Sequence, residues 1–271
     1  MTVVRTGCSS WTSPAWNGRF YPAGLADGER LAFYARYFDC VEVDSTYYAP
    51  PNPHAVRGWA RKTPERFSFT LKLFRELLDP KQGLQREKLR AFVATAGELG
   101  EKLAAILLQF PPGFRAPSSG SGGNLDYLTA LLDLLPAGPR YAVELRDASW
   151  FSSPSAGVLR ALLRAHRIPL CWSYLTYLQV PPWRTADWGY VRFIGDHTTV
   201  PSEVHGRLRI DRTRETEEWA RVLGASELES AFAFFNNHFA GYAPESVNLF
   251  RASLGLPTLR FRTESQLRLD A

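Results

Sequence analysis

The amino-acid sequence predicts an α/β protein, a single (β/α)8 barrel of the TIM type with eight parallel strands and a degenerate sixth helix, over residues 1–271. Apolar strand patterns alternate with helical patterns about eight times along the chain, and parallel strands need such crossovers. The length suits one barrel, since these domains commonly have about 250 residues. A doubly wound sheet that binds dinucleotides would show a glycine fingerprint after its first strand, and the segment Gly7–Trp11 is not one.

The predicted strands are short runs rich in aliphatic and aromatic residues. They are Val3–Ser9, Cys40–Ser45, Phe67–Leu73, Ala104–Phe110, the strand that opens the stretch Tyr141–Phe151, Ile168–Tyr174, Gly189–Ile194 and Ala231–Asn236. In the fifth strand, alternation places Glu144 and Arg146 on the face opposite to Val143. An acid and a guanidinium group on the inner face of a barrel strand indicate a polar site.

Helical periodicity and proline positions mark the segments between the strands. The predicted helices are one that carries Leu31, Tyr34 and Phe38 on one face, one that ends before Pro64, Gln85–Gly100, Leu125–Leu135 with Asn124 as N-cap, one from Ser153-Pro154 to His166, Arg214–Leu223, and one from Pro244 to Leu254. The sixth connection contains Pro181 and Pro182 and is too broken for a full helix. The Ser/Gly-rich stretch 116–123 cannot bury apolar area, so we expect a flexible loop.

Composition limits the classes of protein that fit. With 45% hydrophobic and 22% charged residues, the chain is typical of a globular protein rather than a disordered one. No apolar run reaches the roughly 20 residues of a spanning helix, and the first residues contain no signal-peptide core, so we expect a cytoplasmic protein without membrane contact. The three cysteines, Cys8, Cys40 and Cys171, are widely separated and are expected to be reduced thiols. The net charge of +5 mildly favours an anionic partner.

Polar side chains recur at the carboxyl ends of the predicted strands, where barrels of this type have their active sites. The set comprises Glu42, Asp44, Ser68, Thr70, Lys72, Gln109, Glu144, Arg146, Arg192, Asn236, Asn237 and His238. Barrel interiors are usually filled by branched aliphatic residues, so several ionisable groups at one level must pair with one another or bind something. Two interpretations stay open, a self-neutralising ion network and a ligand site, and the position at the C-terminal mouth favours the ligand site.

The charged residues of this set indicate an anion-binding site with acid and base groups. Arg146, Arg192 and Lys72 supply donors that suit a carboxylate or a phosphate. Glu42 and Glu144 are the candidate general acid and base, because two carboxylates in different environments can hold different protonation states. The predicted ligand is therefore a small anion, phosphate included.

The remaining candidates are uncharged or aromatic. His238 is a candidate proton shuttle, because the ordinary pKa of histidine is about 6.5. The candidate substrate contacts are Gln109, Asn236, Asn237, Trp11 and Trp150. The tryptophan rings either stack on a sugar or a base or simply pack at the barrel rim. The five histidines are scattered without metal-ligand spacing, so neither a metal nor a cofactor is expected.

Ordered blocks along nearly the whole chain resemble the YecE-like proteins, a family defined by a domain of unknown function. These blocks are Gly7-Cys8-Ser9-Ser10-Trp11 with Trp16, Gly18, Phe20, Tyr21 and Pro22; Val41 to Tyr48; Phe69 to Lys72; Gln109-Phe110-Pro111-Pro112; Val143 to Arg146 with Ser149-Trp150-Phe151; Tyr190-Val191-Arg192 with Gly195; and Phe235-Asn236-Asn237 with Gly241 and Ala243. The resemblance implies a TIM-type barrel and no particular activity.

The chain departs from the pattern that the resemblance implies. Asp147 and Ile194 stand where histidines are implied, Asp44 stands where asparagine is implied, and a Thr-His pair is missing near Leu78-Asp79. These departures argue against histidine-based catalysis or metal binding at the mouth. The retained residues are Glu42, Lys72, Gln109, Glu144, Arg146, Arg192 and Asn236.

The combined observations favour an enzyme of hydrolase or isomerase type that acts on a polar anionic substrate, such as a phosphorylated sugar or a nucleotide, at the C-terminal mouth. A nucleic-acid-binding or nuclease-like protein is a second hypothesis, motivated by the positive net charge and the rim tryptophans. A third is a barrel that binds a ligand without turning it over, because fold does not fix function.

Overall fold

The computed structural model of the chain describes residues 2–261 and has one curled sheet at its centre. The strands are β1 (Val3–Ser9), β2 (Cys40–Val43), β3 (Ser68–Lys72), β4 (Leu103–Gln109), β5 (Tyr141–Glu144), β6 (Trp172–Leu175), β7 (Leu178–Gln179), β8 (Trp188–Gly195) and β9 (Ser230–Phe235). Their order across the sheet is β5-β4-β3-β2-β1-β9-β8-β6-β7. All eight predicted strands are therefore present, although several boundaries differ from the predicted ones.

The segments between the strands contain the predicted helices. Within the described residues the α-helices are α1 (Arg30–Tyr34), α2 (Pro53–Arg61), α3 (Arg86–Gly97), α4 (Asn124–Leu134), α5 (Ser155–Ala165), α6 (Thr213–Gly224), α7 (Asn237–Ala240) and α8 (Ala243–Ser253). The sixth connection, from β6 to β8, contains β7 and no helix in the described chain, so the prediction of a degenerate sixth unit is confirmed. The short helix α7 was not predicted. No helix among residues 2–261 has both the length and the apolar character to cross a membrane.

The prediction of a closed ladder of eight strands is wrong. Neighbouring strands are parallel except β6 and β7, which pair antiparallel through Tyr174 and Leu175. The chain turns back after Leu175 to form β7, which takes the edge of β6 opposite to β8. Strand β5 contacts the far side of the sheet through one isolated bridge, between Val143 and Leu170, before β6 begins. The result is a curled nine-stranded sheet whose ladder stays open between β5 and β6.

The Ser/Gly-rich loop at 116–123 is tied to its surroundings at its first residues. Ser155 Oγ donates a hydrogen bond to the Pro117 carbonyl oxygen at 3.1 Å. Asn124 is the first residue of α4 rather than its N-cap, and its side chain donates to the Arg115 carbonyl oxygen at 2.9 Å. Gly120 has a φ of +73°, and a Cβ there would lie 2.9 Å from the Pro154 ring, so glycine is required at this turn.

The two faces of the sheet carry different cores, as strand alternation predicts. The outer face packs against the helices in a large apolar cluster that includes Val41, Val43 and Phe69. The inner face holds a smaller buried cluster of Cys40, Ala104, Ala105, Leu107, Ala142, Cys171, Trp188, Tyr190, Phe232 and Phe234. Toward the carboxyl ends of the strands the inner face becomes polar. The three cysteines are buried free thiols, as predicted.

Candidate functional site

Polar side chains from five strands and one adjoining loop meet on the inner face of the sheet. The strand register aligns Glu42 with Thr70 and Gln109 with Glu144. The Arg192 side chain, from β8, donates hydrogen bonds to Glu42, Gln109 and Glu144. We call the group the mouth cluster, and its members are Glu42, Lys72, Gln109, Glu144, Arg146 and Arg192. Strand alternation predicted that polar side chains would meet at the carboxyl ends of the strands, and six of the candidate residues do lie together there.

Arg192 lies at the centre of the mouth cluster and bridges its two glutamates. The Arg192 Nε and Nη2 atoms donate to Glu42 Oε1 at 3.2 and 2.7 Å. The Arg192 Nη1 atom donates to Glu144 Oε2 at 2.5 Å and to Gln109 Oε1 at 3.1 Å. Each nitrogen of this buried guanidinium group thus has an acceptor within the protein. The role of Arg192 in contacting substrate stays a prediction, and its observed bonds hold the two carboxylates in place.

Arg146 is the more open of the two arginines. Its Nε donates to Glu144 Oε1 at 2.9 Å and its Nη2 donates to Gln109 Oε1 at 3.0 Å. Gln109 Oε1 therefore accepts from both guanidinium groups. The Arg146 side chain is 18% exposed, compared with 3% for that of Arg192. Of the two, Arg146 is the one that a ligand can approach from the solvent.

The cations of the cluster hold both glutamates in the ionised form. Burial by itself raises the pKa of Glu42, but the charges of Arg192 and Lys72 outweigh it, and the net shift is downward. At Glu144 burial also raises the pKa, and the charges of Arg146 and Arg192 then bring it down from 4.5 to about 2. Neither glutamate therefore has a proton to donate at neutral pH, in contrast to the general-acid role predicted for one of them.

Two hydroxyl groups that the sequence did not single out complete the coordination of Glu42. Ser9 Oγ donates to Glu42 Oε1 at 2.8 Å, and the Tyr190 hydroxyl donates to Oε2 at 2.8 Å. Thr70 Oγ1 lies 2.8 Å from the same tyrosine oxygen. Tyr190 lies two residues before Arg192, so strand alternation alone places both on one face. The sequence could therefore have predicted that Tyr190 shares a face with Arg192, but not that its hydroxyl group bonds to Glu42.

Lys72 differs from the arginines of the mouth cluster because, within residues 2–261, it forms no ion pair. The residue is 6% exposed, and its Nζ lies 4.2 Å from the centre of the Tyr47 ring. Among residues 2–261, no carboxylate forms an ion pair with Lys72, whereas Glu42 and Glu144 pair with arginines. Burial and the neighbouring charge of Arg192 lower the pKa of Lys72 from 10.5 to about 8. Lys72 is thus a cation that gives up its proton unusually easily.

Asp44 is a carboxyl group of the mouth whose pKa is raised. It follows β2 directly and is partly buried. Burial is the largest cause of the raised pKa and the charge of Glu42 the second, although Lys72 and Arg192 act in the opposite direction. The shift of Asp44 is opposite to that of both glutamates and favours its protonated form.

We expect Asp44→Asn to increase the free energy of unfolding at pH 7 by about 1 kcal/mol, the size typical of a stabilising single substitution. Because the pKa of Asp44 is higher in the folded than in the unfolded state, its ionisation removes stability as the pH rises from 3.8 through the folded value. Urea unfolding at pH 7 and at pH 3 measures the effect, and the gain should vanish at pH 3. Asp133→Asn, at a position with a 65% exposed side chain, is the control. A lower free energy of unfolding for Asp44→Asn than for the wild type at pH 7 would contradict the expected increase.

His238 lies beside two other histidines rather than in the mouth cluster. Its ring centre is 3.7 Å from that of His197 and 4.5 Å from that of His205. Its Nδ1 lies 2.6 Å from the Val200 carbonyl oxygen, which fixes the ring against the loop after β8. Burial lowers the pKa of His197, and the charges of His238 and Arg146 act in the same direction. Among the described residues, no group of three or more His, Cys, Asp or Glu side chains is arranged to hold a metal ion.

The two asparagines after β9 have structural partners. Asn236 caps α7, and its Oδ1 accepts from the His238 backbone N–H at 3.0 Å. Asn237 Oδ1 accepts from Trp16 Nε1 at 3.0 Å and from the Ala243 N–H at 2.9 Å. These bonds connect β9 to the loop after β1. Both asparagines thus shape the rim, and their side chains are already engaged.

The two tryptophans predicted to contact substrate pack into the protein. The Trp150 ring is fully buried, stacks on Phe114 with centres 5.4 Å apart, and donates its Nε1–H to the Phe114 carbonyl oxygen at 2.7 Å. Trp11 is buried and meets the Trp59 ring edge-on at 5.6 Å. Because both rings are buried, the interpretation that these tryptophans pack at the barrel rim fits them better than stacking on a sugar or a base.

A cleft of about 640 Å³ lies beside the mouth cluster, between the loops that follow β2, β3 and β4. Its lining includes Tyr47, Arg75, Asp79 and Pro111. The Tyr47 ring borders this cleft and also contacts Lys72. A small molecule in the cleft would therefore be separated from the Lys72 amine by one aromatic side chain.

The curled, parallel-rich sheet with a charged cluster at its carboxyl ends defines an α/β protein with a candidate ligand site at the mouth. The chain belongs to the DUF72 family, described as "Protein of unknown function DUF72", whose model matches residues 5–268. The UPF0759 protein YecE of Escherichia coli (strain K12) is 28% identical over 152 residues, which are 55% of this chain and 51% of that protein. The chain thus spans about half the length of this curated relative. These matches confirm the resemblance to the YecE-like proteins.

Solved structures are similar over a larger part of the chain. A DUF72 family protein of Thermotoga maritima has a TM-score of 0.75 and 26% identity, over 93% of this chain and 99% of that chain. D-Psicose 3-epimerase has a TM-score of 0.51 and 10% identity, over 85% of this chain and 84% of that chain. The second likeness shows only that the two proteins share a fold.

Proposed function

We propose that this protein is an enzyme of isomerase or hydrolase type that acts, at the mouth of a TIM-like barrel, on a small anion such as a phosphorylated sugar. The observation that carries this proposal is a buried lysine, Lys72, that is left without a close ion pair while both arginines of the mouth cluster are paired. Arg192 pairs with Glu42, and Arg146 pairs with Glu144. Lys72 forms no ion pair of this kind among the described residues, and the charges of Glu42, Glu144 and Asp44 interact with it only at longer range. A buried charge without a partner is costly, and an anionic substrate would supply the partner.

The anionic group of the substrate is best placed between Lys72 and the exposed side of Arg146. Arginine suits phosphate or carboxylate because its planar donors can form two parallel hydrogen bonds. Tyr177, in the turn between β6 and β7, is 59% exposed, and the charge of Arg146 acts on its pKa. The rim thus offers a hydroxyl group to the substrate beside the cations.

Asp44 is the candidate for proton transfer in this enzyme. Burial disfavours its charged form, and burial also favours the neutral amine of Lys72. A general acid or base works best with a pKa near the working pH, and these two groups have shifted in that direction. Glu42 and Glu144 then hold the arginines in place.

The hypothesis of a nucleic-acid-binding protein rested on the positive net charge and on the tryptophans at the rim, and the second observation no longer supports it. Stacking on bases needs exposed aromatic faces, and both Trp11 and Trp150 are buried. The positive net charge still supports an anionic ligand, but it fits a small anion as well as a nucleic acid. A ligand-binding barrel without turnover would share the proposed anion site and would differ only in leaving its ligand unchanged.

We expect Arg146→Gln to weaken the binding of a phosphorylated sugar about 10- to 100-fold, because a hydrogen bond to a charged group contributes roughly 1.5–3 kcal/mol. Isothermal titration with ribose 5-phosphate at low salt measures the affinity of each protein. Arg184→Gln is the matched control, since Arg184 forms an exposed ion pair with Glu227. Equal affinities of wild type and Arg146→Gln would exclude Arg146 as the anion contact, and no binding to the wild type would overturn the phosphorylated-sugar assignment.

A further inference from the structure

We propose that the Lys72 amine is a nucleophile that forms an imine with a carbonyl group of the substrate. This inference deepens the proposed function and depends on it for the position of the site. It narrows the substrate class to anions that carry an aldehyde or a ketone, such as open-chain sugar phosphates and 2-oxo acids. The argument rests on the surroundings of Lys72 compared with those of a second partly buried lysine.

Lys72 and Lys102 are both shielded from solvent but have opposite surroundings. The Lys102 ammonium donates to the Ala60 carbonyl oxygen at 2.6 Å, to the Thr63 carbonyl oxygen at 2.7 Å and to Thr63 Oγ1 at 3.3 Å. All three of its protons have acceptors, which is the pattern of a structural lysine. Lys72 has the Tyr47 ring as its neighbour and no ion pair in the described part of the chain. Its nitrogen is thus held in place without being engaged by strong acceptors.

The charge balance of the mouth cluster also favours a neutral amine at Lys72. The two arginines and the two glutamates, Arg146, Arg192, Glu42 and Glu144, already sum to zero net charge. A proton on Lys72 adds a buried charge next to Arg192, and burial together with this arginine outweighs the opposite effect of Glu42 and Glu144. The reactive form of a lysine nucleophile is the neutral amine, which desolvation and a neighbouring cation both favour.

The reaction step needs only a proton donor and a carbonyl compound. The lone pair of the Lys72 nitrogen attacks the carbonyl carbon, a C–N bond forms, and the carbonyl oxygen takes up a proton. The nitrogen then loses its protons as the hydroxyl group leaves as water, which gives the imine and one molecule of water. Asp44, the carboxyl group of the mouth whose pKa is raised, supplies the proton that departs with the water. The imine withdraws electrons from the adjacent C–H bond, which suits an isomerase.

Reductive trapping tests this proposal. The full-length protein is incubated at about pH 8 with glyoxylate, and in parallel with dihydroxyacetone phosphate, in the presence of sodium cyanoborohydride. Peptide mass mapping then quantifies the secondary amine at each lysine. The initial rate at Lys72 should exceed that at exposed Lys81 by roughly a hundredfold, because lowering the pKa of Lys72 from 10.5 to about 8 increases its neutral amine about that much at this pH. The reaction rate at Lys72 should rise with pH with a midpoint near 8.

Two variants and one binding measurement separate the possible outcomes. Lys72→Arg keeps the positive charge and should lose the adduct while it still binds ribose 5-phosphate, and Lys102→Arg should keep the adduct at Lys72. Labelling of Lys72 no faster than that of Lys81, or a midpoint near 10.5 in the wild type, would overturn the proposal without any variant. Binding of ribose 5-phosphate without an adduct at Lys72 would overturn the imine and leave the proposed function standing. A glyoxylate adduct at Lys72 without sugar-phosphate binding would support the nucleophile and reject the phosphorylated sugar.

Discussion

Arg192→Met is expected to lower the free energy of unfolding by about 3–5 kcal/mol, the cost of removing one partner from a buried ion pair. The substitution keeps much of the side-chain volume but leaves Glu42 and Glu144 buried without their shared cation. Both glutamates are fully buried, so water cannot replace the guanidinium group without rearrangement. Urea unfolding at pH 7 measures the change, with the slope of the transition as a check on two-state behaviour.

The control for this substitution is an arginine in an exposed ion pair. Arg184 and Glu227 lie 3.3 Å apart, with side chains that are 45% and 85% exposed, and Arg184→Met should cost less than about 1 kcal/mol. Adding Glu42→Gln to Arg192→Met should recover part of the lost stability, because the second change removes one uncompensated charge. An Arg192→Met protein as stable as Arg184→Met would mean that the mouth cluster is solvated.

Acidification from pH 4.5 to pH 2 is expected to remove about 3 kcal/mol of stability through Glu144 alone, since each pKa unit corresponds to about 1.4 kcal/mol. The pKa of Glu144 is depressed in the folded state, from 4.5 to about 2. Its contribution is therefore complete above the unfolded value and is lost as the pH falls toward the folded value. Glu42 is shifted in the same direction and adds to the loss.

The pH dependence is measured as the free energy of unfolding from urea titrations at several pH values between 5 and 2. Glu144→Gln should flatten the slope over this range, whatever its effect on stability at pH 7. Glu227→Gln, at an exposed position, should leave the slope as in the wild type. A wild-type profile that is flat between pH 4.5 and 2 would contradict the depressed pKa of Glu144.

Much of the fold follows from local sequence patterns, but the closure of the sheet does not. The alternation of strands and helices, and the broken sixth connection at Pro181 and Pro182, could be read directly from residue types. The hairpin of β6 and β7 could not, because its turn at Thr176 and Tyr177 carries no glycine or asparagine signal. Whether β5 pairs with β6 depends on long-range contacts that no local pattern encodes.

The composition of the mouth cluster could likewise be predicted, but the pairing within it could not. Strand alternation places Glu42, Glu144 and Arg192 on the inner face, and that placement is confirmed. The sequence does not reveal that every nitrogen of Arg192 has an acceptor while Lys72 forms no ion pair among residues 2–261, because this depends on the distances between side chains. The burial of Trp150 depends in the same way on tertiary packing, which residue type alone does not determine.

The open ladder between β5 and β6 has a consequence for the way the native protein fluctuates. Within residues 2–261, backbone hydrogen bonds join this edge of β5 to the opposite part of the sheet only near Val143, but Glu144 at its end is held by Arg192 of β8. A local opening at this place must break a buried ion pair together with the few backbone bonds. Amide hydrogens at the end of β5 should therefore exchange with solvent mainly through large, cooperative openings rather than through fraying. The charged cluster thus gives an edge strand the protection normally found in the middle of a sheet.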